Sequence, residues 1–321
     1  MRTHKSLLIG LSLILIFFPV WANSTDDIPR AAARGDLKLV MSCLEQNPKL
    51  LHAKWAEKGL SVNEKTGLSG ESGKAKEGLK QPVKFTILYD NYLHKEGTKT
   101  DWGFSCLIEG TEKMILFDTG TQPEILLYNV KALNIDLKKV EQIVISHDHG
   151  DHTGGLSDVL KINPNVSVYL PVSFPNEFVR KVERFKAHVE SVDEPVEICE
   201  NVFLTGEMGV EIKEQSLIIN TQKGLVIVTG CSHQGIVNIL KRAKEIMDKP
   251  IYLVFGGFHI GGTPDRTIQK IIQSFEELGV EKCGATHCTG DKAIGMFKAA
   301  FGENYIPMGT GKVFEIPDKS E

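Results

Sequence analysis

The stretch Gln142-Ile143-Val144-Ile145-Ser146-His147-Asp148-His149-Gly150-Asp151-His152 decides how the rest of the chain is read. Gln142–Ser146, built around three apolar residues, reads as a short buried strand. It runs directly into three imidazoles, His147, His149 and His152, and the carboxylate of Asp151. Nitrogen and carboxylate donors in one set suit zinc or iron. A loop at a strand end can wrap, so that His147 and His149 address one ion while Asp151 and His152 face a neighbouring one. Gly150 and the pair Gly154-Gly155 supply backbone freedom for that convergence. The plain alternative is a polar surface loop with unrelated histidines, and so dense a run of donors speaks against it.

Outward from this loop, short apolar runs alternate with amphipathic helical patterns. Strand candidates are Phe85–Tyr89, Phe104–Ile108, Met114–Phe117, Ile143–Ile145, Val166–Leu170, Ser216–Ile219, Leu225–Thr229 and Ile251–Phe255. The best helix runs from Pro264 to Leu278, with Thr263 as N-cap, Pro264 at the first helical position and Gly279 closing it. Gly235–Met247 repeats the pattern, with Ile236, Ile239, Leu240, Ala243 and Met247 on one face. Strands followed by helices predict an α/β domain over residues 83–317. The 321 residues are 41% hydrophobic and 24% charged, which excludes a wholly disordered or disulfide-dense chain. A net charge of −4 gives no electrostatic reason to expect nucleic acid as a partner.

The segments before that domain read differently. Met1–Ala22 has a basic start (Arg2, Lys5), the apolar run Leu7–Val20 and the small-residue ending Val20-Trp21-Ala22. This is the order of a secretory signal, with an uncleaved anchor as the alternative. The apolar run is short for a permanent membrane helix. The mature protein is therefore expected to be exported, periplasmic or secreted, with no stable membrane anchor after signal removal. Intact-mass measurement of protein from its host checks this, the expected mass being that of a chain starting near Asn23. Residues 23–60 read as a helical segment, in which 28–60 resemble a single partial ankyrin repeat. One repeat cannot bury its apolar face alone. It is expected to dock or to stay loose, with a protein partner as the alternative. Residues 61–82, rich in Gly, Ser, Lys and Glu, read as a flexible linker. The six cysteines, Cys43, Cys106, Cys199, Cys231, Cys283 and Cys288, show no paired framework. Cys283 and Cys288 are the likeliest local pair, and buried free thiols are the favoured reading.

His-x-His-x-Asp-His after a strand resembles the signature of the metallo-β-lactamase-fold hydrolases. Phe117-Asp118-Thr119-Gly120 resembles the motif whose aspartate supports the metal site through a ligand. Thr286-His287-Cys288 resembles the late histidine motif. Gly230-Cys231-Ser232-His233 falls where the family has a histidine and a bridging carboxylate, and here no aspartate is present. Thr229-Gly-Cys-Ser-His-Gln-Gly-Ile-Val-Asn, Phe255-Gly-Gly-Phe-His, His287-Cys-Thr-Gly, Gly309-Thr-Gly and Asp90-Asn91 run through the domain in order. They resemble the subgroup of 7,8-dihydropterin-6-methyl-4-(β-D-ribofuranosyl)aminobenzene-5′-phosphate synthase-like proteins. The resemblance implies a four-layer αββα sandwich with metals at one edge, between two sheets.

The resemblance also implies roles. His147, His149 and His233 would hold one metal; Asp151, His152 and His287 would hold a second, with Cys231 or an external group in place of the missing carboxylate. Asp118 would accept from a ligand imidazole, the alternative being a turn aspartate. His259 would line the pocket as a phosphate donor or proton shuttle, or be a hydrogen-bonded bystander. His52, His94 and His188 fall outside every motif. Cys288 beside His287 suggests a thiol nucleophile, but adjacent residues on an extended segment point oppositely. No Gly-x-Ser-x-Gly or phosphate-cradling loop is present in the sequence. The leading expectation is a zinc-dependent hydrolase of a small-molecule ester or phosphoester, holding one or two ions, with iron or manganese as alternatives. The competing readings are an iron oxidoreductase of the same fold and a non-catalytic binding protein acting through residues 28–60. His149, where redox di-iron members tend to place a glutamate, favours zinc.

Overall fold

The computed structural model describes residues 76–318. The expected signal, the ankyrin-like segment and residues 61–75 of the expected linker lie outside the described residues. Two sheets face each other. The first has seven strands in the order β13-β1-β2-β3-β4-β5-β6: β1 (Val83–Tyr89), β2 (Ser105–Glu109), β3 (Ile115–Phe117), β4 (Gln142–Val144), β5 (Ser167–Pro171), β6 (His188–Val192) and β13 (Val313–Ile316). The second has six, β12-β11-β10-β9-β8-β7: β7 (Val196–Cys199), β8 (Val202–Leu204), β9 (Leu217–Thr221), β10 (Gly224–Thr229), β11 (Ile251–Gly257) and β12 (Lys282–Thr286).

Strand periodicity explains the layers. Cys106, Ile108, Ile115 and Phe117 point between the sheets, where they meet Leu217, Ile219, Val226, Val228 and Phe255 of the second sheet. Their neighbours Leu107 and Leu116 point the other way. There they pack with Leu126 and Val130 of α1 (Pro123–Ala132), with Leu156, Val159 and Leu160 of α3 (Leu156–Ile162), which follows the single-turn α2 (Gly150–Thr153), and with Val182 of α4 (Asn176–Glu183). Strands buried on both faces read as continuous apolar runs, and each fully buried Leu, Ile or Phe contributes about 1.5–3 kcal/mol. Helices α5 (Ile236–Ile246), α6 (Asp265–Glu277) and α7 (Asp291–Phe301) accompany the second sheet. Phe258, Phe275 of α6 and Phe297 of α7 form an aromatic triangle with ring centroids 5.1–5.6 Å apart. The expected αββα sandwich is the observed architecture.

The strands missing from the sequence reading are β6, β7, β8, β12 and β13. The first two are edge strands with little fully buried surface, so they lack the apolar runs that mark a strand. Pro264 proves to be the residue before α6, still extended at ψ 142°, and Thr263 is not its cap. The expected linker also ends too late. Leu79 donates its N–H to the Asn220 carbonyl (2.9 Å) and packs in the core between the sheets. An apolar side chain buried there ties residues 79–82 to the domain. No helix among the described residues is long and apolar enough to cross a membrane.

Candidate metal centre

The donor residues sit on loops that leave the C-terminal ends of strands in the two parallel ladders, β3–β4 and β10–β11–β12. Asp118 follows β3, the histidine loop follows β4, and Cys231, His259 and His287 follow β10, β11 and β12. Carboxyl ends of parallel strands are where open α/β sheets form their ligand crevices. Asp118, Ser232, His259 and His287 hold the left-handed backbone conformation (φ 49–65°) without being glycine. That conformation costs roughly 1–2 kcal/mol per residue, and such strain collects at functional sites. Gly154 and Gly155 act otherwise than expected. Their torsions are ordinary, but a Cβ at Gly154 would lie 1.8 Å from the Thr121 carbonyl oxygen and one at Gly155 2.5 Å from that of Thr119. They permit close approach rather than unusual torsions, and Gly150 does neither.

The first donor set is His147, His149 and His233. Ser146 Oγ lies 2.8 Å from Asp118 Oδ2 and 2.9 Å from His147 Nδ1. An ionised carboxylate only accepts, so the hydroxyl proton goes to Asp118 and Ser146 Oγ accepts the Nδ1–H of His147. This leaves a lone pair on His147 Nε2, which faces His149 Nδ1 at 3.0 Å and His233 Nε2 at 3.3 Å. Burial first, and then the neighbouring imidazoles, hold His147 far below the ordinary histidine range. The same causes bring His233 down to about 4. Three ring nitrogens converging at the separation of tetrahedral corners around an ion ~2.0–2.1 Å away fit a zinc-sized cation.

Asp151, His152, Cys231 and His287 form the second set. Asp118 Oδ2 accepts the His152 Nδ1–H (2.7 Å), and Asn91 Oδ1 faces His287 Nδ1 (3.0 Å) while Asn91 Nδ2 donates to the His287 carbonyl (3.2 Å). Both Nε2 atoms therefore turn inward, to Cys231 Sγ (3.2 and 3.4 Å) and Asp151 Oδ2 (3.5 and 3.4 Å). Burial opposes a charge on His152, but Asp118 and Asp151 outweigh it and push it up to about 10. Burial likewise opposes ionisation of Asp151, and hydrogen bonds from His152 and His287 keep it ionised far below the carboxylate range. In the ion-free protein a proton on His152 thus stands where a cation fits, and metal binding must displace it. Thiol, carboxylate and two imidazoles suit zinc and, with less sulfur preference, iron.

The sequence reading assigned Asp118 one imidazole; the carboxylate also accepts the Ser146 N–H (2.7 Å), binding the two parallel strand ends together. Glu214 was missed altogether. Fully buried, it accepts the N–H groups of Cys231 and Ser232 at Oε1 (both 2.9 Å) and of His233 at Oε2 (2.8 Å). It shapes the loop that carries a ligand of each set. Burial raises its carboxyl pKa, opposed by those three donors. Asp90, visible in the sequence only as part of the Asp90-Asn91 motif, accepts the Thr286 hydroxyl (2.7 Å) just before His287. Burial, opposed by its hydrogen bonds, pushes Asp90 up to about 6 from 3.8. Between those values the folded protein keeps a proton that the unfolded chain releases, so stability falls as pH rises from about 4 to about 6, by about 3 kcal/mol. Asp90→Asn is expected to flatten that decline in urea melts taken across the interval.

His259, expected as a phosphate donor or proton shuttle, is exposed, with its ring 4.2 Å from that of His233. A hydrogen bond with the Cys288 thiol, against burial, raises its pKa. His287–Thr289 form a 3-10 turn rather than an extended segment, so His287 and Cys288 both approach Cys231. Cys106, Cys199, Cys231, Cys283 and Cys288 are free, Cys43 and His52 lie outside the described residues, and Cys283 does not pair with Cys288. His188 is exposed beside Glu190 (2.7 Å). Trp102, 56% exposed, stands with its ring 5.2 Å from His287 at the rim. A cavity of about 1020 Å³ lined by Lys76, Lys80, Lys223 and Lys249 shares no residue with the donor row.

Residues 103–251 match the family model of the metallo-beta-lactamase superfamily. A 7,8-dihydropterin-6-methyl-4-(beta-D-ribofuranosyl)-aminobenzene-5′-phosphate synthase of Methanocaldococcus jannaschii is 34% identical over 281 residues, covering 72% of this chain and 96% of that protein. Among solved structures, Tm1679, a metal-dependent hydrolase of the beta-lactamase superfamily, aligns with TM-score 0.62 and 31% identity over 74% of this chain and all of its own. The metallo-beta-lactamase fold protein YhfI of Bacillus subtilis, 16% identical with TM-score 0.54, shares the fold, covering 74% of this chain and all of its own. Fold, donor row and relatives agree: the chain belongs to the metallo-β-lactamase superfamily.

Proposed function

We propose that the protein is an exported, zinc-dependent hydrolase of a small-molecule ester, phosphoester or related bond. The observation that carries this reading is the convergence of two donor sets, in which His147, His152 and His287 are held through Nδ1 by Ser146, Asp118 and Asn91 so that each Nε2 turns inward. Nitrogen lone pairs at such separations repel one another unless a cation or proton lies between them. When bound, two cations lower the pKa of a water to roughly 7 and polarise a carbonyl or phosphoryl oxygen. His147, His149 and His233 would hold one ion and Asp151, His152, Cys231 and His287 the other. The chain's own work is orientation. Ser146 and Asp118 fix the His147 and His152 rings, Asn91 fixes His287, and Glu214 holds the Cys231–His233 backbone. Asp151 keeps an ionised oxygen facing the second position. Trp102 forms one wall for the substrate beside His287.

The synthase from M. jannaschii favours a second reading, in which a group other than water attacks a pterin-type substrate at the same centre. A panel of phosphodiesters, phosphomonoesters, lactones, thioesters and β-lactams separates the two. Turnover of at least one class, abolished by chelator and restored by Zn²⁺, is expected. Turnover indifferent to chelator contradicts the proposal, and silence across the panel favours the synthase. Metal analysis of protein purified without added metal should find zinc; stoichiometric iron would support an oxidoreductase instead.

A further inference from the structure

A third group of donors adjoins the two sets. Cys231, His259 and Cys288 place two Sγ atoms and a ring nitrogen within 4.8 Å of one another, from loops after three successive parallel strands. Cys231 and Cys288 are buried, at 3% and 7% exposure, and His259 is exposed. Two local features are built around this group. A Cβ at Gly257 would lie 2.6 Å from Cys288 Sγ, so the neighbouring strand end is reduced to glycine where the thiol sits. His259 holds a left-handed backbone (φ 49°) while its ring reaches over His233. Packing alone accounts for Cys106, which lies in the apolar core between the sheets. It does not account for Cys288, whose thiol makes a long contact with the Cys231 carbonyl (3.6 Å) and keeps the polar, hydrogen-bonding company of His259 and Cys231.

We propose that Cys231, His259 and Cys288 form a third cation position, sharing the Cys231 sulfur with the second set. Two sulfurs and an imidazole select a soft or borderline ion such as Zn²⁺, Cd²⁺ or Cu⁺ over Mg²⁺ or Mn²⁺. Three protein ligands leave one tetrahedral corner to solvent, and the exposed His259 makes this position the most open of the three. The inference rests on the metal-centre reading only through Cys231, because His259 and Cys288 belong to neither of the first two sets.

Native mass spectrometry of the full chain titrated with Cd²⁺, alongside the ultraviolet thiolate-to-cadmium absorption, tests it. The wild type is expected to hold one Cd²⁺ more than Cys288→Ser and to show a stronger thiolate band. His259→Ala, a change at an exposed side chain, is expected to weaken the additional ion by about tenfold or more while the others stay bound. Equal stoichiometry in the three proteins overturns the third position and leaves the first two standing. Failure of the wild type to bind Cd²⁺ at all overturns the metal-centre reading as well. A Cys231–Cys288 disulfide in protein isolated with its metals, found as a cross-linked peptide, also overturns the proposal.

Discussion

Glu214→Ala is expected to lower stability by about 3–5 kcal/mol and the melting temperature by about 10 °C. The carboxylate is fully buried and accepts three backbone N–H groups, from Cys231, Ser232 and His233. Truncation leaves three donors without partners, at about 1–3 kcal/mol each. The loss is smaller than their sum because burying Glu214 is itself unfavourable, as its raised pKa shows. Glu214→Gln retains one carbonyl acceptor but turns an amide N–H₂ toward backbone donors, so it should fall between the alanine variant and the wild type. Thermal denaturation of the three proteins checks the order. An alanine variant melting within a degree of the wild type would show that the loop holds its shape without the carboxylate.

Asp151→Asn should do the opposite: leave the fold intact and remove function. Its side chain contacts the His152 and His287 imidazoles and holds no backbone donor among the hydrogen bonds of the site. Asparagine keeps the volume and one carbonyl oxygen but loses the charge that favours a cation there. Turnover of the substrate found in the panel is expected to fall about 10²–10³-fold, with one metal ion lost and the melting temperature of the metal-free protein lowered by less than in Glu214→Ala. Steady-state kinetics and metal content measured on the same preparation check this. Full activity with full metal content would place the reacting centre elsewhere.

The contrast between these two carboxylates shows what was legible in the sequence. Asp151 lies within four residues of three histidines, so local spacing marks it, as it marks His147, His149 and His152. His233 and His287 also end apolar runs or follow glycine-bearing turns, which makes them visible once two parallel ladders are expected. Glu214 stands in Lys213-Glu214-Gln215-Ser216, an ordinary polar run. Its burial depends on the His147–Glu214 bridge between the two sheets, a contact with no local signal. Asn91 and Ser146 were hidden for the same reason: their value lies in which imidazole nitrogen they face. The α/β class was readable because the central strands are apolar on both faces, whereas the sandwich arrangement followed only from the resemblance of the motifs. Edge strands such as His188–Val192 were not, because solvent covers much of their surface.

Metal content after exhaustive dialysis tests the central claim most directly, in the wild type, His147→Ala and Asp151→Asn. The wild type should retain at least two equivalents of a divalent ion and each variant one fewer. Variants that retain the wild-type metal content would contradict the account, because the converging lone pairs of His147 and the charge of Asp151 would then hold nothing.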